Sequence, residues 1–228
     1  MLYIGSSVSS ACKDTLKKLN IPFTLMPDCN ALPHPVNSHP DMCAVKVCDK
    51  LFSSGEMATF FGCEDTGEPF GKEYPKDILF NGFTLGKRLF CSKKGFSRAA
   101  TFFAVQNGFE IVNINQGYAK CSTLLLGEVG AITSDESIKR ALDPFLKVLK
   151  IDAGEILLPP YDYGFIGGAS FVLGKTVYFF GEISKHKNSK DILNFISELG
   201  FNAVSLSDEP LRDLGRIIFI KEDIDKDT

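Results

Sequence analysis

One pattern returns along the chain at nearly even steps, and it limits the available folds more than any other feature. An extended apolar run meets a Gly or Asp turn, and a second extended run follows. A serine-led helix and a short returning strand complete the unit. The clearest copy starts at Ser170-Phe171-Val172-Leu173, turns at Gly174-Lys175 and continues through Thr176 to Phe180. Turn residues between two apolar runs signal a hairpin. Ser189 stands at an N-cap position, Ile192, Leu193, Ile196 and Leu199 recur at helical spacing, and Gly200 stops the helix before Ala203-Val204.

A second copy spans Thr123–Thr133, with Ser134 capping a helix and Ile156-Leu157-Leu158 returning. Asp143-Pro144 predicts a helix break near Leu142. A third pairs Ile78-Leu79-Phe80 with Thr84–Phe90. Ser97 then opens a helix that Gly108 ends, and Ile111, Val112 and Ile114 return. A fourth hairpin, Ala44–Val47 with Lys50–Phe52, flanks Cys48-Asp49. Its helix is not evident, because residues 54–76 are rich in Gly, Glu and Pro and read as a long loop. Leu2-Tyr3-Ile4 begins a partial fifth unit, with a helix over Ala11–Leu19 and a strand over Phe23–Met26. Its missing first strand is on offer at Arg216–Ile220.

Marked by the second hairpin strand (Tyr3, Phe52, Phe90, Ile132, Phe179), the units recur every ~38 to 49 residues, a period typical of solenoids, propellers and arrays. A unit split between the two chain ends favours closure, which also removes exposed sheet edges. The predicted fold is therefore α/β: a five-unit ββαβ propeller closed by the N- and C-terminal strands, as one domain over residues 1–228. An ordinary α+β sheet domain is the competing architecture.

Composition narrows the function classes. At 44% hydrophobic over 228 residues, the chain can bury a sizeable core. A net charge of −3 lacks the electrostatic footprint of a nucleic-acid partner. No apolar run approaches the roughly 20 residues that cross a bilayer, so no membrane partner is expected. The opening MLYIGSSVSS has neither basic nor long apolar character, so no secretory leader is expected. Seven scattered cysteines form an odd set, which points to a reducing, cytoplasmic setting with mostly buried thiols. Structural zinc is poorly supported: Cys43 and Cys48 fall on opposite faces of a strand-like stretch, and no second pair completes four ligands.

Five ββαβ units around a pseudo-fivefold axis resemble the pentein fold of the guanidino-group-modifying enzymes, among them arginine deiminase, agmatine deiminase and dimethylarginine dimethylaminohydrolase. Residues Gly167 to Ser184 carry the most similar stretch, which resembles the family's GG-acid blade opening, a hairpin, and a Gly-x-x-Ser entry to the helix. His39-Pro40-Asp41-Met42, Gln116 to Ser122 and Asp162 to Gly168 also resemble a bacterial group assigned to this fold. The resemblance implies a Cys thiolate that attacks the guanidinium carbon, a His that moves protons, and carboxylates that hold the cation, with no cofactor and no metal. The chemistry asks for these groups. A delocalised cation is a poor electrophile and needs a strong nucleophile, and carboxylates grip its planar fork.

By that resemblance, the openings of three units hold the candidates. His39 is the acid/base, with Asp41 two residues on and facing the same side of a strand. Gln116 to Ser122 is similar to the family's nucleophile motif, which makes Cys121 the nucleophile. Asp162, Gln116, Tyr163, Gly167 and Gly168 are assigned to the substrate, and Asp213 is a further acid near a unit opening. Two departures stand out. Ala169-Ser170 replaces the acid after the paired glycines, and the C-terminal region usual for the nucleophile, Leu214 to Phe219, has no Cys. Cys121 lies mid-chain, so the match requires a circular permutation of units. The expected function is a Cys-dependent hydrolase or deiminase of a small guanidino or amidine compound. The alternative is a non-catalytic small-molecule-binding protein with a degenerate pentein fold, in which Cys121 is an inert buried thiol. A small-molecule ligand is the expected partner, and a homodimer is left open. Among the remaining features, Gly167-Gly168 could serve only close backbone packing, and His34 lies in a Pro-rich stretch. His186, between two lysines, is expected in solvent. Loop 54–76 is expected to read the substrate's far end, and Asp223 to Asp227 is expected to be a frayed charged tail.

Overall fold

The computed structural model describes residues 1–220; the charged segment 223–227 lies outside the described residues. Five three-stranded sheets form, and in each the central strand pairs antiparallel on one side and parallel on the other. The first has β1 (Leu2–Gly5) at its centre, with helix α1 (Ser10–Lys18) leading to β2 (Phe23–Met26). A short helix, α2 (Pro40–Cys43), precedes β3 (Val45–Val47), β4 (Lys50–Ser53), α3 (Gly55–Phe61) and β5 (Glu64–Asp65). The third unit is β6 (Phe83–Leu85), β7 (Arg88–Cys91), α4 (Arg98–Gln106) and β8 (Glu110–Asn113). The fourth is β9 (Thr123–Leu126), β10 (Gly130–Thr133), α5 (Glu136–Leu142) and β11 (Lys147–Lys150). The fifth is β12 (Ser170–Leu173), β13 (Thr176–Phe179), α6 (Ser189–Glu198) and β14 (Asn202–Ser205). The last strand, β15 (Ile218–Phe219), returns to β1 with Leu2 opposite Phe219 and Tyr3 opposite Ile218. This is the closing strand that Arg216–Ile220 offered.

Turn chemistry builds the hairpins. Gly174 takes φ +60° between β12 and β13, where it has no Cβ to clash. Cys48 adopts nearly the same conformation (φ +55°) between β3 and β4, where its side chain makes the turn costlier. The core lies between units. One cluster joins Leu2, Ile4 and Leu16 to Phe171 and Phe180, so the first unit packs on the fifth. Others join Met26 to Met57 and Phe61, Phe52 to Leu89 and Ala100, Phe90 to Ile132's neighbour Ala131, and Leu126 to Val177 and Phe179. Each unit is thus buried against both neighbours, which is the packing of a ring.

Several expectations are corrected. Residues 54–76 contain α3 and β5: Met57, Ala58 and Phe61 are buried, and Gly62 at φ +60° ends the helix. Residues 76–78 form a 3-10 turn, and the hairpin's first strand starts only at Phe83. The fourth unit's returning strand is β11, reached directly after α5 ends at Leu142 before Asp143-Pro144. Ile156 to Leu158 is not that strand; Leu157 instead bridges Arg212. The N-caps fall on Asp135, whose carboxylate accepts from Ser137 and Ile138, and on Asn188. His186 is buried rather than solvated, because the turn into α6 folds over it and its Nδ1 accepts from the Asn188 N–H at 3.1 Å. Among the described residues, no helix is long and apolar enough to cross a membrane.

Candidate active site

The segments that open successive units converge at one place. After the turn at Val36–Ser38, His39 takes an extended conformation as the N-cap of α2, and Pro40 fits the first helical position. Asp41 therefore sits in the first turn of a helix. The strand alternation expected for His39 and Asp41 does not exist, although both residues are fully buried at the site. Cys121 comes from a turn ahead of β9, in which the Ser122 N–H binds the Tyr118 carbonyl. Asn81 comes from the turn ahead of β6, and Asp213 from the segment that leads to β15.

Cys121 is held from two sides. Its thiol donates to Asp41 Oδ2 at 2.9 Å, and Asn81 Nδ2 donates to its sulfur at 2.9 Å. Asn81 is itself fixed, because its Oδ1 accepts the Lys120 N–H at 2.8 Å. His39 Nδ1 lies 3.8 Å from Asp213 Oδ1. Asp213 accepts the Gly215 N–H at 2.9 Å and the Phe165 N–H at 2.8 Å. Glycines make the room: a Cβ at Gly168 would meet Asp213 Oδ1 at 1.8 Å, and one at Gly215 would meet His39 Cβ at 2.4 Å.

A cavity of about 220 Å³ opens on this cluster. His39, Cys121 and Asp213 line it with Met42, Val36 and Leu158, while Tyr161, Asp162 and Tyr163 stand exposed along it. Tyr118 and Phe165 stack on one another with ring centres 6.1 Å apart and complete an aromatic wall. Of the residues assigned from sequence, Cys121, His39, Asp162 and Tyr163 share the cavity, and Asp41 backs it through Cys121. Gln116, Gly167 and Gly168 do not line it. Gln116 Nε2 donates to Asp135 Oδ2 at 3.1 Å, beside the start of α5. A Cβ at Gly167 would lie 2.5 Å from the carbonyl oxygens of Cys121 and Thr123, so this glycine serves close backbone packing. Loop 54–76 is also absent from the cavity; the segment from Leu158 to Phe165 takes that place. Sequence reasoning missed Asn81 and Tyr118. Asn81-Gly82 opens the third unit as His39 and Cys121 open theirs, and that was the available signal.

The electrostatics favour a cation. Burial pushes His39 down to about 4, against the pull of Asp41, so its imidazole is neutral near pH 7. Burial raises Asp213 to about 6, partly offset by its two backbone N–H donors. Asp41 is raised by burial and restrained first by Lys120. Cys121 is pushed well above the usual thiol value by burial, then by Asp41 and Asp213. Asp213 beside a protonated thiol and a neutral imidazole makes a poorly hydrated site, and a cation placed there stabilises this carboxylate and any thiolate.

This ring with its converging unit openings has the pentein fold, and solved structures share it. The DDAH of Pseudomonas aeruginosa, in a cysteine-to-serine mutant complexed with citrulline, superposes with a TM-score of 0.55 at 10% identity, covering 91% of each chain. SxtG, an amidinotransferase from Microseira wollei, gives 0.54 at 9% identity over 95% of this chain and 80% of that one. The inosamine-phosphate amidinotransferase StrB1 of Streptomyces griseus gives 0.53 at 11% identity over 89% and 74%. At such identities the likeness establishes the fold. The chain itself belongs to the family of unknown function DUF6873, which it matches over residues 3–218. No curated protein matches it in sequence.

Proposed function

We propose that the protein is a Cys-dependent hydrolase or deiminase of a small guanidino or amidine compound. One observation carries this reading: the Cys121 thiol, bonded to Asp41, faces the same cavity as His39 and Asp213. The substrate cation enters beside Asp213 and Asp162, against the faces of Tyr118 and Phe165. Its charge offsets the carboxylates that keep Cys121 protonated, so the thiol proton passes to neutral His39. The thiolate then attacks the amidinium carbon and a C–S bond forms. The C–N bond breaks as His39 returns its proton to the departing amine, leaving a thiouronium on Cys121. Water next gives a proton to His39 while its oxygen bonds to that carbon. The C–S bond breaks as the C=O forms, the released amine takes the excess proton, and His39 reprotonates the thiolate. The net change is guanidinium plus water to a urea plus an ammonium.

The neighbours that share the fold include amidinotransferases and a citrulline complex, and they support this class of ligand. Cys121 opens the fourth unit and His39 the second, so the assignment keeps the permuted order of units. A second reading is a binding protein without chemistry, favoured by the raised thiol and by its donation to Asp41. A panel of guanidino and amidine compounds, assayed for ammonia and ureido product, separates the two. Turnover is expected for at least one compound, and Cys121→Ala should abolish it while leaving binding intact. Mass spectrometry should find the adduct on Cys121. Binding without product, or full turnover by Cys121→Ala, sinks the nucleophile assignment.

A further inference from the structure

A second cavity of about 220 Å³ lies among the same segments and shares no lining residue with the first. Residues from β3, β6 and β15 surround it. Every charged side chain on its wall is cationic: Lys46, Lys120 and Arg216. Lys120 is 9% exposed and Arg216 half-buried. Lys120 Nζ has three donors and spends one, at 3.3 Å, on the Ala44 carbonyl. Arg216 Nη1 reaches the Thr123 carbonyl only at 3.5 Å. Among the described residues, neither cation forms an ion pair.

Two neighbouring cations withdrawn from water are costly unless something neutralises them. The nearby carboxylate, Asp41, favours the charged form of both and offsets part of that cost, but it forms an ion pair with neither among the described residues. Arginine's planar fork suits an oxyanion, which it can hold through two parallel bonds. The Thr84 hydroxyl lines the same space, which is several times the roughly 30 Å³ share of one liquid water. We propose that this second cavity binds a small oxyanion, phosphate or carboxylate in type, between Lys120 and Arg216. Anion binding here requires no reaction at Cys121. Because Lys120 also acts on Asp41 through its charge, an anion seated here is felt at the first cavity.

Calorimetric titration with inorganic phosphate and with acetate, at fixed ionic strength in chloride, tests the proposal and distinguishes the two oxyanion types. Saturable one-to-one binding is expected for at least one of them. Arg216→Gln should weaken it by roughly tenfold or more, the worth of one charge-assisted hydrogen bond, whereas Lys175→Gln in the β12–β13 turn should not. Protection of the unmodified protein gives a readout without substitution. The bound anion should slow phenylglyoxal modification of Arg216 but not of exposed Arg98. Heats no greater than those of chloride, equal affinity in Arg216→Gln, or modification of Arg216 at the same rate with and without the anion would overturn the site.

Discussion

At Cys29, burial and hydrogen bonding compete, and hydrogen bonding wins. Its thiol falls to about 7, led by the bond from Cys43 and helped by the Ala31 and Leu32 N–H groups. It lines a cavity of about 420 Å³. Cys121 moves the opposite way. Alkylation followed by peptide mapping should therefore mark Cys29 at a lower pH than Cys121 in the ligand-free protein. Labelling in the reverse order would mean that Cys121 is a thiolate without substrate. A second residue-scale prediction concerns His39. Its folded pKa of about 4 lies below the ordinary 6.5, so the unfolded chain takes up the proton first. Stability is then lost as pH falls from 6.5 through about 4. Asp213, raised to about 6, contributes in the opposite sense, because the folded state protonates first. His39→Gln removes only the loss. Its stability relative to the parent should therefore improve by on the order of 2–3 kcal/mol across that interval. Urea melts at the two pH values check this, and parallel profiles would show that His39 titrates as in the unfolded chain.

Elements meet at glycines, and two positions separate space from conformation. At Gly168 a methyl group would occupy the Asp213 carboxylate, while at Gly174 nothing lies within 4 Å and only the positive φ resists a side chain. Gly168→Ala should cost about 2–3 kcal/mol and weaken cation binding in the first cavity. Gly174→Ala should cost about 1 kcal/mol and leave binding unchanged. Denaturant melts and ligand titration of both variants test the pair; ordinary affinity in Gly168→Ala would show that Asp213 is dispensable. The same contrast explains what the sequence made legible. Hairpins around Gly174 and the helix after Ser97 stood out, because turn and cap residues act locally. Helix α3 was hidden: Gly55 and Gly62 bracket six residues whose buried stripe is only Met57, Ala58 and Phe61. Strand β11 was hidden because lysines flank its two apolar residues, while Ile156 to Leu158 made a stronger apolar run. In the site, His39, Asp41 and Cys121 were legible as unit openings. Asn81-Gly82 looked like an ordinary turn, and only its bond to Cys121 of the next unit reveals its part.

The whole molecule brings that cluster together. His39 and Asp41 precede the second unit, Asn81 the third and Cys121 the fourth, and Asp213 precedes the closing strand. Each interunit core is shared, so opening one junction exposes apolar surface on both neighbours. We propose that the ring unfolds as one cooperative domain, with β15 as the element that completes it. Ile218, 4% exposed, sits opposite Tyr3 and packs with Met26 and Met42. Ile218→Ala should cost about 2–4 kcal/mol, the usual penalty for a buried cavity of that size. The informative measurement is native-state hydrogen exchange in strands distant from the substitution. If the ring is one unit, protection in β7 and β13 should fall by the same free energy as in β1. If the loss stays within β1 and β2, the first sheet opens alone. The closing strand would then secure an edge, and Asp213 could leave the site without unfolding the rest.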